Sequence, residues 1–192
     1  MTVTAIPHGH AEEHNRPAMN RLGLWLFILS ESMIFLILLT ARFYLFGTSR
    51  PEGLSQLLGL GVTVILLLSS LTAYLAESSI AHDDRESFLL YTLLTIILGT
   101  MFLAGVVGLE WPQAIHEGIV PQRGFGIAYF SMTGMHAFHV LTGVLLLLVI
   151  YWNGARGGFS AEKHWGVEAT VKYWHFVDVV WVFFYPALYL LS

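Results

Sequence analysis

The chain has no cysteine, so it has no disulfide, no thiolate metal site and no cysteine nucleophile. It is also short of charge: 11% of its 192 residues are Asp, Glu, Lys or Arg, against about 25% in an ordinary soluble domain. That deficit excludes a conventional soluble fold. The net charge of −4 includes many residues in the tail and loops, and it implies no nucleic-acid partner. No internal repeat is visible, which argues against an inverted-repeat transporter. Nor is a cleavable signal evident. The first apolar run, from about Leu22, is too long for a signal h-region, and no small-residue cleavage site follows it.

What the chain does have is long apolar runs, 56% of its residues being hydrophobic. A helix needs about 20 such residues to cross a bilayer core. Five runs qualify, at about 22–46, 56–78, 88–111, 127–152 and 169–191. The first four are ended by turn-forming or charged residues: Gly47 to Gly53, His82-Asp83-Asp84-Arg85-Glu86, Trp111-Pro112, and Asn153-Gly154. The expected fold is therefore all-α: a polar tail over 1–20, then a polytopic membrane bundle of five transmembrane helices over 21–192. Lys and Arg set the orientation. Arg16, Arg21, Arg85, Arg156, Lys163 and Lys172 fall on one side, and Arg42, Arg50 and Arg123 on the other. The excess predicts a cytoplasmic N-terminus and an external C-terminus. The tail carries His8, His10 and His14, a conceivable metal site or simply a solvated segment.

Several residues break the apolar pattern. The fifth run holds Lys172, His175 and Asp178 at spacings of three, with Glu168 one turn earlier. On a helix they share one face. Ionisable groups inside a span usually face protein or a wet cavity and pair with one another. Two pairs are expected, Glu168 with Lys172 and His175 with Asp178, serving either to hold helices together or to carry protons or electrons. Glu31 lies near the middle of the first run. Its helical neighbours Leu24, Phe27, Ile28, Ile34, Phe35 and Leu38 are all apolar. Its partner must come from another helix, a lipid head group or bound water. It is either a structural hydrogen-bonded carboxyl or a proton- or lipid-handling site. His136 and His139 share a face with Tyr129, Met132 and Gly143. Interhelical hydrogen bonding is the favoured role. Metal or haem ligation would need further ligands, and the Glu-x-x-His pattern of di-iron bundles is missing. Gly99, Gly105 and Gly108 allow close helix approach. Glu110, before Trp111-Pro112, marks an outer helix end, bonded to a loop or hydrated.

Four stretches together resemble subunit III of the haem-copper terminal oxidases. Tyr173-Trp174-His175-Phe176-Val177-Asp178-Val179-Val180-Trp181 resembles the family's closing signature, and His164-Trp165-Gly166-Val167-Glu168-Ala169 the stretch before it. The run Gly126 to Phe130, with Thr133-Gly134-Met135-His136-Ala137-Phe138-His139-Val140 and Gly143, is similar to its histidine helix. Arg21, Gly23, Phe27, Ile28, Ser30 and Glu31 match the helix that holds its buried carboxylate. The resemblance covers about Arg21 to Tyr189 and is to the five-span bacterial form, without the first two helices of the longest members. Val107 departs from it, standing where the family commonly has Gln. It implies a non-catalytic subunit in a bacterial cytoplasmic membrane, with no redox cofactor of its own. It would dock on the catalytic subunit I, which holds the haems and copper, with bound phospholipid between them, and support that subunit's stability and proton uptake. The electron donor, cytochrome c or a quinol, would bind elsewhere. Two other readings stay open: a self-sufficient membrane haem protein using His136, His139 or His175, and a subunit III relative serving a nitric oxide reductase.

Overall fold

The computed structural model describes residues 10–48 and 54–191, with side chains from Ala18 onward. It is helical almost throughout. Helix α1 spans His10–Phe46, α2 Gln56–Ala81, α3 Arg85–Gly105, α4 Trp111–His116, α5 Phe125–Ala155 and α6 Trp165–Tyr185. Two π-turns extend these rods. Val106–Glu110 joins α3 to α4, and Pro186–Leu190 prolongs α6.

Local chemistry sets the ends. Ser55 caps α2, its hydroxyl accepting from Leu58 N–H at 3.3 Å. Asp84 caps α3, accepting from Ser87 N–H at 3.1 Å. Its bonds to Ser87 hold its carboxyl below the usual aspartate value, since a hydrogen-bonded carboxylate resists protonation. Gly124, at φ +58°, turns the chain into α5, a backbone state that glycine adopts without strain.

Two helix ends differ from the sequence expectation. The third run does not stop at Trp111-Pro112 but continues to His116. Proline lacks the N–H that an α-helix would use. The π-turn before it shifts the bonding by one residue, so that Trp111 N–H donates to Val106 C=O, and the rod passes through. Helix α1 begins at His10, well inside the expected polar tail. The metal possibility at His8, His10 and His14 lies outside the described residues, His8 entirely and the other two in their side chains.

Helices α2, α3, α5 and α6 form a closed ring, with α2 on α3, α3 on α5, α5 on α6 and α6 on α2. Trp174 is its keystone. The fully buried indole donates to Ser69 Oγ of α2 at 3.1 Å. It lies against Gly99 of α3 and Gly143 of α5, where an added Cβ would come within 2.5 and 2.7 Å of it. Only glycine lets both backbones approach this closely. Two turns on, Trp181 donates to Thr63 Oγ1 at 2.9 Å. Helix α1 stands outside the ring and leans on α5 and α6. Its buried residues, Ile28, Phe35 and Arg42, recur every seven positions, as in the narrow seam of a supercoiled pair.

Among the described residues, four rods are long and apolar enough to cross a membrane: Ala18–Phe46, Gln56–Ala81, Arg85–His116 and Phe125–Ala155. Helix α6 has 21 residues, a spanning length, but Glu168, Lys172 and Asp178 lie within it.

Candidate functional site

Glu31 and His139 meet although they come from α1 and α5. His139 Nε2 lies 3.0 Å from Glu31 Oε2, and Nδ1 lies 2.8 Å from the Met135 carbonyl. A carbonyl only accepts, so Nδ1 carries a hydrogen. Nε2 and Oε2 must then share one further proton. Either a neutral acid donates to the imidazole, or an imidazolium donates to the carboxylate. In both cases the pair is electrically neutral, which is how an ionisable pair is tolerated at this depth. His139 is thus the partner from another helix that Glu31 requires.

The pair borders a groove of about 640 Å³ between α1, α5 and α6. Leu24, Phe27, Leu145, Leu146 and Val149 make most of it apolar. Thr142 and Tyr173 hydroxyls bond to each other at 2.7 Å along the same wall. The groove runs from Glu31 towards the N-terminal ends of α1 and α6. There Arg21, one turn before Leu24, lies 3.8 Å from Glu168, and its side chain is 62% exposed. Lys172 donates to Glu168, which brings together the pair expected from the sequence. Trp165 stacks beneath both cations, 5.8 Å from each. Glu77 of α2 interacts electrostatically with Lys172, Glu168 and His164. The sequence placed Arg21 on the Glu31 helix but did not pair it with Glu168, and it did not single out Glu77.

The other expected pair does not form. His175 Nδ1 bonds to Ser70 Oγ of α2 at 2.7 Å. Asp178 is buried, and both its carboxyl oxygens lack a hydrogen bond among the described residues. The Ser70 hydroxyl, bonded to His175, is the α2 group that acts on it through hydrogen bonding. Spacing put His175 and Asp178 on one face, but α2 supplies a competing hydroxyl there. The interhelical role expected of the histidines holds for His139 and fails for His136. Among the described residues, both His136 ring nitrogens are buried without a hydrogen bond. The ring packs 4.7 Å from Trp181, and Phe102 meets it edge-on at 5.5 Å. No group of three metal-ligating side chains occurs among the described residues.

Glu110 lies within the continuous rod and not at its end. It is 4% exposed and accepts from Tyr189 O–H at 2.7 Å. Tyr129 O–H lies 3.1 Å further along. Glu110 and Tyr189 each belong to a π-turn, so the two irregular segments meet through this bond.

The family model for cytochrome c oxidase subunit III matches residues 5–192. Cytochrome c oxidase subunit 3 of Thermostichus vulcanus is 35% identical over 197 residues, covering 98% of this chain and 94% of the relative. The Synechocystis protein of the same name is 36% identical, covering 96% and 79%. That of Podospora anserina is 34% identical, covering 88% and 66%. Matched over nearly its whole length, this chain belongs to the cytochrome c oxidase subunit III family.

Proposed function

We propose that the chain is the non-catalytic third subunit of a respiratory haem-copper oxidase. It crosses a bacterial cytoplasmic membrane five times, with its N-terminus inside. It docks on the haem- and copper-bearing subunit I, and it holds phospholipid beside that subunit and steadies its proton uptake. The observation that carries this reading is the neutral Glu31–His139 pair in an apolar groove of about 640 Å³. The groove suits acyl chains. Its inner mouth carries Arg21 and Lys172, and phosphate is a natural partner for arginine. The pair shares a proton that either partner can hold, and its transfer between them leaves no net charge in lipid.

The histidines fit a subunit without a redox centre of its own. Both His139 nitrogens are engaged, by Met135 and Glu31. His136 is enclosed by Trp181 and Phe102 with no open face for a porphyrin. His175 is held by Ser70.

Glu31→Gln tests the reading in the purified complex. Gln keeps a hydrogen bond to His139 but removes the titratable proton. The expected result is normal assembly and normal initial oxygen consumption, followed by progressive loss of activity over many turnovers. A variant that matches wild type in both rate and persistence makes Glu31 purely structural. Purifying the complex and reading its haem type and electron donor separates an oxidase from a nitric oxide reductase. A Soret band in the partner-free chain would overturn the assignment of haem to subunit I alone.

A further inference from the structure

A second polar site lies at the opposite end of the bundle from the charged mouth of the groove. A cavity of about 10 Å³ opens between the start of α2, the Val106–Glu110 turn and the Pro186–Leu190 turn. Ser55, Glu110, Gln113, Ala114, Tyr129 and Tyr189 line it. A cavity of this size holds one water molecule. One polar atom on its wall has its bonding unfulfilled. Glu110 Oε2 accepts from Tyr189, but Oε1 is buried and makes no hydrogen bond among the described residues. A buried carboxyl oxygen left in that state is costly, and buried waters characteristically bond to such otherwise unsatisfied groups.

We propose that this cavity is a binding site for a single water molecule. The water donates to Glu110 Oε1 and accepts from the Ser55 hydroxyl or the Gln113 amide, which line the same space. The wall supplies enough polar partners for an ordered water, which typically makes about three hydrogen bonds. The surroundings make the seat a rigid one. Gln56 Nε2 donates to the Tyr189 carbonyl at 3.2 Å, which fixes the α6 terminus against α2. Tyr129 and Tyr189, 3.1 Å apart, hold the far side. The water thus joins three chain segments whose regular bonding is broken at this point: a helix start and two π-turns. Such turns often mark functional positions in helices, and here the function is to seat a solvent molecule in the protein.

Radiolytic hydroxyl-radical labelling of the intact complex, read by mass spectrometry, tests this. Radicals form from bound water, so buried side chains beside an ordered water are oxidised while dry ones are not. Tyr129 and Tyr189, 0% and 1% exposed, should be labelled above the baseline set by Phe88 and Phe102, both 0% exposed. Filling the cavity with Ala114→Val should abolish that labelling in the assembled complex. Wild-type Tyr129 and Tyr189 at the Phe88 and Phe102 baseline would overturn the proposal, whether or not the variant assembles. Labelling that persists unchanged in Ala114→Val would overturn it too, since it would then come from opening of the bundle.

Discussion

A carboxyl group buried without a hydrogen bond is expensive whenever it ionises, and Asp178 is buried in that condition. Had a base faced it, truncation would strand a charge at about 3–5 kcal/mol. No base does. Asp178→Asn should therefore keep the subunit in the complex, with stability within about 1 kcal/mol of wild type. Thermal release of the subunit from the purified complex measures this. Loss of the subunit in the Asn variant would mean that ionised Asp178 has a partner on another subunit. The residue scale also shows what can be read from sequence. Glu168 with Lys172 was legible because four residues is one helical turn. Glu31 and His139 were legible singly, but their pairing joins positions 108 apart, and local spacing carries no information about that. His175 was misassigned for the same reason. Spacing gives the face a side chain occupies, while its partner, Ser70, lies 105 positions away.

Among the elements, α6 depends most on its neighbours having no side chain. Trp174 fits because Gly99 and Gly143 offer only backbone. Gly99→Ala would place a methyl carbon 2.5 Å from Cη2 of the indole, and Gly143→Ala one 2.7 Å from Cε3. The ring cannot retreat, because its N–H is tied to Ser69. Each variant should lower the stability of the assembled subunit by about 1–3 kcal/mol. Gly108→Ala, with nothing within 4 Å of the added carbon, should be close to neutral. Thermal unfolding of the three variants side by side checks this, and equal losses at all three positions would remove Trp174 from its keystone role. The sequence marked Gly99, Gly105 and Gly108 alike as packing positions. Only the structure distinguishes the glycines that touch an indole or a valine from the one that faces outward. It also shows why the helix end at Pro112 was misplaced: a proline stops an α-helix, yet a π-turn ahead of it absorbs the missing donor.

For the whole molecule, the decisive element is α6. Its polar side chains are largely covered: Glu168 is 17% exposed and Lys172 34%, and they bond to each other. A helix that hides its charges in this way can cross lipid despite its composition. If it crosses, the two chain ends lie on opposite sides. A reporter active only in the cytoplasm should then be silent when fused after Ser192 and active when fused before the first span. Strong activity at both positions would leave four spans. The attachment of α1 has a consequence for biogenesis. Its packing partners are α5 and α6, which leave the ribosome after α2 and α3. The α2–α3 hairpin can close as soon as both its helices are inserted, but α1 has no seam to join until α5 and α6, Phe125–Ala155 and Trp165–Tyr185, have been made. Through most of synthesis the first helix is therefore an unmoored rod in lipid. An insertase or early-arriving assembly factor that meets this nascent chain meets α1 with Ile28, Phe35 and Arg42 still uncovered, so the order of translation itself decides which face is open to chaperoning.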